Sequence, residues 1–167
     1  GSECAGSFAE YLTVAARHAH KVTSDLSAME LASFPCSYST AENMLVRAGA
    51  RAGERALVTG ASGGVGSAAV QLLRARGAEV VAVSQPAKAQ ALRDLGAAEV
   101  VPRDTDLVAH FGADAFDLVV DLVGGAAFPA LLDVLKRGGR YAVAGAVGGA
   151  DVDLDLRTLY LKDLSFF

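Results

Sequence analysis

Apolar and polar positions along this chain fall into two registers: short, nearly continuous apolar runs, and longer stretches whose apolar residues recur at helical spacing. One run ends at Leu57 and Val58, breaks into glycines, and gives way to Val65, Ala69, Leu72 and Leu73, which share one helix face. The alternation repeats downstream. Strands are predicted over 79–83 and 99–101, with a helix over 87–95 closed by Gly96 and a short helix over 105–111. A buried strand over 117–121 stops at Gly124 and Gly125, and Phe128, Leu131, Leu132 and Leu135 give the next helix its apolar face. Pro129 sits where a first turn tolerates it, while Lys136, Arg137 and Gly138 supply the signals of a helix end. A strand over 141–144 opens into Gly145, and a helical turn over 156–161 and a strand over 164–167 complete the pattern. Such strands alternating with helices predict an α/β fold, a doubly wound six-stranded parallel sheet covered on both faces. Its ligand crevice is expected at the carboxyl ends of the strands.

The first part of the chain reads differently. Residues 8–22 hold two strand-like pieces with no helical partner, too short to fold alone, so 1–26 is expected to be the tail of another domain and 27–167 the α/β unit. His18 and His20 are spaced to share a strand face and so to offer two metal ligands, but with no third ligand near they read as a solvated face. Ser27-Ala28-Met29-Glu30 is a capping box that starts a helix. Pro35 is expected to end it, and a second helix-prone stretch runs from Cys36 toward Gly49.

The turn between the first apolar run and its helix is where phosphate chemistry becomes possible. A helix N-terminus presents unpaired N–H groups and partial positive charge, which suits an anionic pyrophosphate when no Cβ blocks its approach. Read as Ala61-x-Gly63-x-x-Gly66, with Ser62, Gly64 and Val65 between, the turn has the spacing of the dinucleotide fingerprint with alanine in its first position. Gly63 would admit the pyrophosphate and Gly66 would let helix pack on strand. A strand before it, a helix after it and the next strand at βαβ distance are the context that such a motif requires.

Composition narrows the class. The chain has 167 residues, 52% hydrophobic and 20% charged, enough for a full core. A formal net charge of -4 and a pI near 5.3, with basic residues scattered, leave no electrostatic footprint for nucleic acid. No apolar run spans a bilayer and the first residues lack the regions of a secretion signal, so a soluble cytoplasmic protein without membrane contact is expected. Cys4 and Cys36 form no CxxC and indicate neither a disulfide framework nor a structural zinc knuckle.

Several segments together resemble one family. Gly60-Ala61-Ser62-Gly63-Gly64-Val65-Gly66 with Ala69-Val70-Gln71-Leu72, then Leu95-Gly96-Ala97, Asp121-Leu122-Val123-Gly124-Gly125 and Leu135-Lys136-Arg137-Gly138-Gly139-Arg140 look like the medium-chain dehydrogenase/reductase superfamily. Within it, the branch of zinc-dependent alcohol dehydrogenases and quinone oxidoreductases is most similar. The likeness runs nearly end to end and is specific to the superfamily rather than to a substrate. It implies a Rossmann domain that binds a nicotinamide cofactor for hydride transfer between an alcohol and a carbonyl. A zinc-independent NADPH:quinone or enoyl reductase is the alternative, and a non-catalytic NADPH-binding protein a further one. Phe8-Ala9-Glu10-Tyr11 resembles the last strands of that family's catalytic barrel, so the N-terminal barrel is expected to be a missing partner domain.

The resemblance also assigns residues. Cys36 in Cys36-Ser37-Tyr38-Ser39-Thr40 matches the third ligand of the catalytic zinc in alcohol dehydrogenases, and Thr40 would sit against the nicotinamide. The other reading of Cys36 is a small buried thiol, and zinc would be held only with ligands from the missing domain. Val123, Gly124, Gly145 and Ala146 would line the nicotinamide end; Asp121 ends a strand at the crevice, a place that suits an acid-base role, but it is read as ordering the turn at Gly124 and Gly125. NAD-selective members place an acid at the end of the second strand; here the run Val83-Ser84-Gln85-Pro86-Ala87-Lys88 has none. Ser84, Lys88 and Arg103 therefore favour NADP(H) over NAD(H). The last strand, 164–167, with Leu164, Phe166 and Phe167, leaves an apolar edge that a homodimer would cover.

Overall fold

A computed structural model describes residues 8–167; Cys4 lies outside the described residues. Helix α1 (Ala28–Arg47) is followed by β1 (Arg55–Val58), α2 (Gly64–Ala75), β2 (Glu79–Val83), α3 (Ala89–Leu95), β3 (Glu99–Val101), α4 (Leu107–Phe111), β4 (Phe116–Asp121), α5 (Phe128–Asp133), β5 (Leu135–Val143), α6 (Leu156–Leu161) and β6 (Ser165–Phe166). The strands form one six-stranded sheet in the order β3-β2-β1-β4-β5-β6, and every pairing is parallel. The order reverses between β1 and β4, the switch point where open α/β sheets bind ligands. The chain thus has the doubly wound Rossmann architecture that its apolar pattern predicts. Among the described residues, no helix is long and apolar enough to cross a membrane.

Alternation along the strands builds two cores. Ala56, Val58, Val80, Ala82 and Leu118 turn toward α1, α2 and α3, while Leu57, Val81, Val119 and Phe116 turn toward α4 and α5. Leu57, paired in register with Val81 and Val119, is fully buried; burying such a side chain stabilises the fold by roughly 1.5–3 kcal/mol. Near-continuous apolar strands follow because both faces are covered.

Three local expectations give way. Residues 8–22 contain no strand: they are exposed coil with one 3-10 turn at Ala16–His18, because a strand needs a partner edge and they pair with none among the described residues. His18 therefore sits in that turn and shares no strand face with His20.

Nor does Pro35 divide the first helix. The capping box forms, with the Glu30 amide donating to Ser27 Oγ at 3.3 Å and the Ser27 amide donating to Glu30 Oε2 at 2.8 Å, but α1 runs unbroken through Pro35. An interior proline costs a helix about 3 kcal/mol through the missing N–H and a ring clash. Here it falls in the exposed half of α1, where the carbonyl left without a donor can be hydrated, while Ala41, Met44 and Leu45 bury the second half.

Finally, Lys136, Arg137 and Gly138 open β5 rather than closing α5, which ends at Asp133. Leu135 is drawn into the sheet by pairing with Phe116, both fully buried. Lys136 reaches Asp117 at 2.8 Å, and the Gly138 amide, at φ +74°, donates to the Lys162 carbonyl at 2.7 Å.

Candidate functional site

The glycine turn leaves β1 at Thr59 and enters α2 at Gly64. Gly60 takes φ +58°, a left-handed conformation that only glycine adopts without cost. The Gly63 amide donates to the Gly60 carbonyl at 3.0 Å and closes the turn. A Cβ on Gly66 would stand 2.4 Å from the Gly60 carbonyl oxygen and 2.7 Å from Ala61 Cα, so helix and turn approach more closely than any side chain permits. Gly64 is confined from the other side, since its Cβ would meet Ser37 Oγ of α1 at 2.5 Å. The first turn of α2 carries no acidic residue and no side-chain cap, so its amides keep their donors for something else.

That helix end faces a cavity of about 890 Å³ at the carboxyl ends of the strands. Ser62, Gly63, Gly64, Val65 and Gly66 form its centre, Arg103 one flank, and Val123, Gly124 and Gly145 the other. The remaining residues singled out in the sequence lie off its wall. Ala61 is fully buried beneath the turn, and its amide donates to the Val83 carbonyl at 3.4 Å. Thr40 is half-buried on α1, whereas Lys88 and Ala146 are exposed. Cys36 is an exposed free cysteine in the middle of α1 rather than a buried thiol. Among the described residues, no three His, Cys, Asp or Glu side chains converge to hold a metal. Cys36 is thus a single donor, an incomplete set for tetrahedral zinc.

Ser84 is the most informative of these residues. It is 1% exposed at the end of β2, and among the described residues its Oγ has no hydrogen-bond partner. Buried hydroxyls nearly always have one. The open amides of α2 and the cavity that they face at the switch point fit a phosphate-bearing ligand.

Sequence reasoning did not anticipate Leu107, Ala130 and Leu131, which line the cavity from α4 and α5; their helical spacing reads as core, and only the packing of those helices opens a face to the crevice. Thr59, also on the wall, carried a usable signal. It and Asp121 are polar residues at the ends of adjacent buried strands. Thr59 Oγ1 donates to Asp121 Oδ1 at 2.5 Å, and the same hydroxyl accepts the Leu122 amide at 3.0 Å. Asp121 also accepts the Tyr141 hydroxyl, the Val123 amide at 2.9 Å and the Gly124 amide at 3.2 Å. The carboxylate therefore orders the turn before Gly125. Burial first, then the hydrogen bond to Asp121 and its negative charge, hold the Tyr141 phenol far above its ordinary range.

Comparison with known proteins agrees with this geometry. Residues 64–167 match the zinc-binding dehydrogenase family. The fold superposes on a Sinorhizobium meliloti structure provisionally named an alcohol dehydrogenase, with 52% identity and a TM-score of 0.90 over 96% of this chain and 46% of that one. The spectinabilin polyketide synthase system protein NorB of Streptomyces orinoci is 42% identical over 126 residues, covering 72% of this chain and 6% of that protein. Homo sapiens quinone oxidoreductase is 30% identical over 159 residues, or 91% of this chain and 48% of the enzyme. The chain thus spans about half of the quinone oxidoreductase and a small part of the synthase protein. The chain belongs to the zinc-binding dehydrogenase family of the medium-chain dehydrogenase/reductase superfamily and carries that superfamily's cofactor-binding domain.

Proposed function

We propose that this chain binds NADP(H) for an oxidoreductase that moves hydride between the nicotinamide and an alcohol or carbonyl substrate. The observation that carries the reading is the fit of the turn to a pyrophosphate, with Gly66 forced against Gly60 and the amides of α2 left open to the cavity. The bound cofactor supplies the hydride; the chain's residues bind and orient it. Amides at Gly64 and Val65 take the pyrophosphate, and Val123, Gly124 and Gly145 form the apolar nicotinamide end; Ala146, the next residue of that loop, and Thr40 of α1 would support it from off the wall. Ala61 and Ser62 shape the turn.

The preference for the phosphorylated cofactor rests on charge. The end of β2 offers a hydroxyl, Ser84, where an acid would repel a 2'-phosphate. Arg103 flanks the same cavity, and Lys88 follows in the exposed turn Pro86–Lys88. Substrate contacts, and ligands to complete a zinc site with Cys36, would come from a barrel domain packed on α1. Likeness to a quinone oxidoreductase supports a second reading, a zinc-independent quinone or enoyl reductase using the same cofactor site. We further propose that a second copy covers the outer edge of β6.

Calorimetric titration of this chain with NADPH and NADH tests the cofactor assignment. NADPH is expected to bind at least tenfold more tightly. Tighter binding of NADH overturns the preference, and binding of neither overturns the site.

A further inference from the structure

Asp121 is fully buried, lies on the cavity wall, and has all of its acceptor capacity engaged. Thr59 Oγ1, the Tyr141 hydroxyl and the amides of Val123 and Gly124 all donate to it. A carboxylate offers about four lone-pair sites, and these four donors occupy them.

The turn that it holds is itself zipped to a second one. The Ala144 amide donates to the Asp121 carbonyl at 3.1 Å, and the Gly148 amide donates to the Val123 carbonyl at 2.8 Å. Between these bonds the two backbones touch. A Cβ on Gly124 would lie 2.8 Å from the Gly149 carbonyl oxygen, on Gly125 2.2 Å from that of Gly148, and on Gly145 2.3 Å from that of Leu122. Residues 121–125 and 144–149 are therefore packed into one wall, and the carboxylate of Asp121 anchors it. Tyr141 is held in turn by its ring, edge-on to Phe128 with centroids 5.2 Å apart and tilted against Phe166 at 5.3 Å.

We infer that Asp121 is a positioning residue for the nicotinamide half of the cofactor, acting with Thr59 and Tyr141 to set the place of the Gly124 and Gly145 backbones. This rests on the dinucleotide reading above. Charge-assisted bonds to two amides and two hydroxyls hold the wall in one arrangement before ligand arrives, which lowers the ordering cost of binding. The adenosine end, at Arg103 and Ser84, lies across the switch point and takes no support from this network.

Asp121→Asn tests the inference, because the amide keeps the shape but leaves one acceptor oxygen for four donors. Tyr141→Phe removes a single donor and serves as the milder variant should Asp121→Asn fail to fold. Amide hydrogen exchange, measured without ligand, is expected to quicken at least tenfold at Val123, Gly124 and Gly148 in Asp121→Asn, and less in Tyr141→Phe, with β1 amides unchanged. NADPH binding is expected to weaken about tenfold, while 2',5'-ADP, which lacks the nicotinamide half, binds as before. Unchanged exchange at the three amides, or equal losses for the two ligands, overturns the inference. Failure of the wild-type chain to bind NADPH, with the exchange effect intact, instead overturns the dinucleotide reading.

Discussion

Gly66 and the carbonyl of Gly60 are packed so closely that a methyl group on Gly66 would lie 2.4 Å from that oxygen. The contact is backbone against backbone, so no side chain can swing away to relieve it. Gly66→Ala is therefore expected to destabilise the chain by about 1–3 kcal/mol, the usual cost of overpacking a tight site. The relief must come from moving α2 away from the turn, so phosphate binding should fall as well. Urea denaturation and an NADPH titration on the same variant check both parts; wild-type values in either would show that the approach is not required.

The Tyr141 phenol gives the fold an alkaline limit. Burial and the Asp121 carboxylate raise its proton affinity in the folded state, while an unfolded tyrosine titrates near about 10. The folded state thus holds the proton that the unfolded state releases. Stability from this group is fully present below about pH 10 and is lost as pH rises beyond it, at about 1.4 kcal/mol for each pH unit while the folded phenol stays protonated. Tyr141→Phe should lack this component, so denaturation curves of the two proteins should converge in stability between pH 9 and pH 11, on the order of the slope given by linkage. Parallel pH dependence in both proteins would contradict the assignment.

What the sequence made legible was what local chemistry decides. Gly60 and Gly66 meet requirements set within a few residues of themselves, and the runs ending at Val58, Val83 and Asp121 are apolar because both faces of the sheet are covered. Elsewhere the deciding partner lies far along the chain. Leu135 carries helical spacing, yet Phe116 takes it into β5. Pro35 reads as a stop, but burial of Leu45 holds the same helix together beyond it. The strand-like text of 8–22 has the right alternation yet pairs with no strand among the described residues. At the site, Arg103 reaches the cavity as a loop residue should, whereas the burial of Ser84 and the opening of α4 and α5 toward the crevice depend on tertiary packing.

At the edge of the sheet, β6 pairs only with β5 among the described residues, and Phe166 on that strand and Tyr160 and Leu161 on the preceding α6 are 41%, 65% and 61% exposed. An open strand edge flanked by apolar side chains is a template for another chain. The proposed dimer should give twice the 17.1 kDa chain mass in sedimentation equilibrium. Phe166→Lys, which places on the edge the kind of charge that blocks strand addition, should return the single-chain mass. A wild-type monomer at high concentration would count against the dimer.

Ser84 separates stability from binding. Its buried hydroxyl has no partner among the described residues, and a buried polar group left unsatisfied costs about 1–3 kcal/mol. Ser84→Ala should therefore stabilise the ligand-free chain by about 1 kcal/mol and, on the proposed reading that the hydroxyl turns to the 2'-phosphate on binding, should weaken NADPH. Arg103, on the cavity flank, contributes by charge instead. A hydrogen bond to a charged group contributes about 1.5–3 kcal/mol, so Arg103→Ala should lower NADPH affinity by roughly tenfold or more and leave NADH unaffected. Lys88, exposed in its turn, should matter less, since a solvated ammonium is screened and must be ordered to reach the phosphate. Thermal unfolding and paired titrations with NADPH and NADH read all three variants. A Ser84→Ala protein that loses stability, or an Arg103→Ala protein that loses both cofactors equally, would overturn the placing of the 2'-phosphate at these residues.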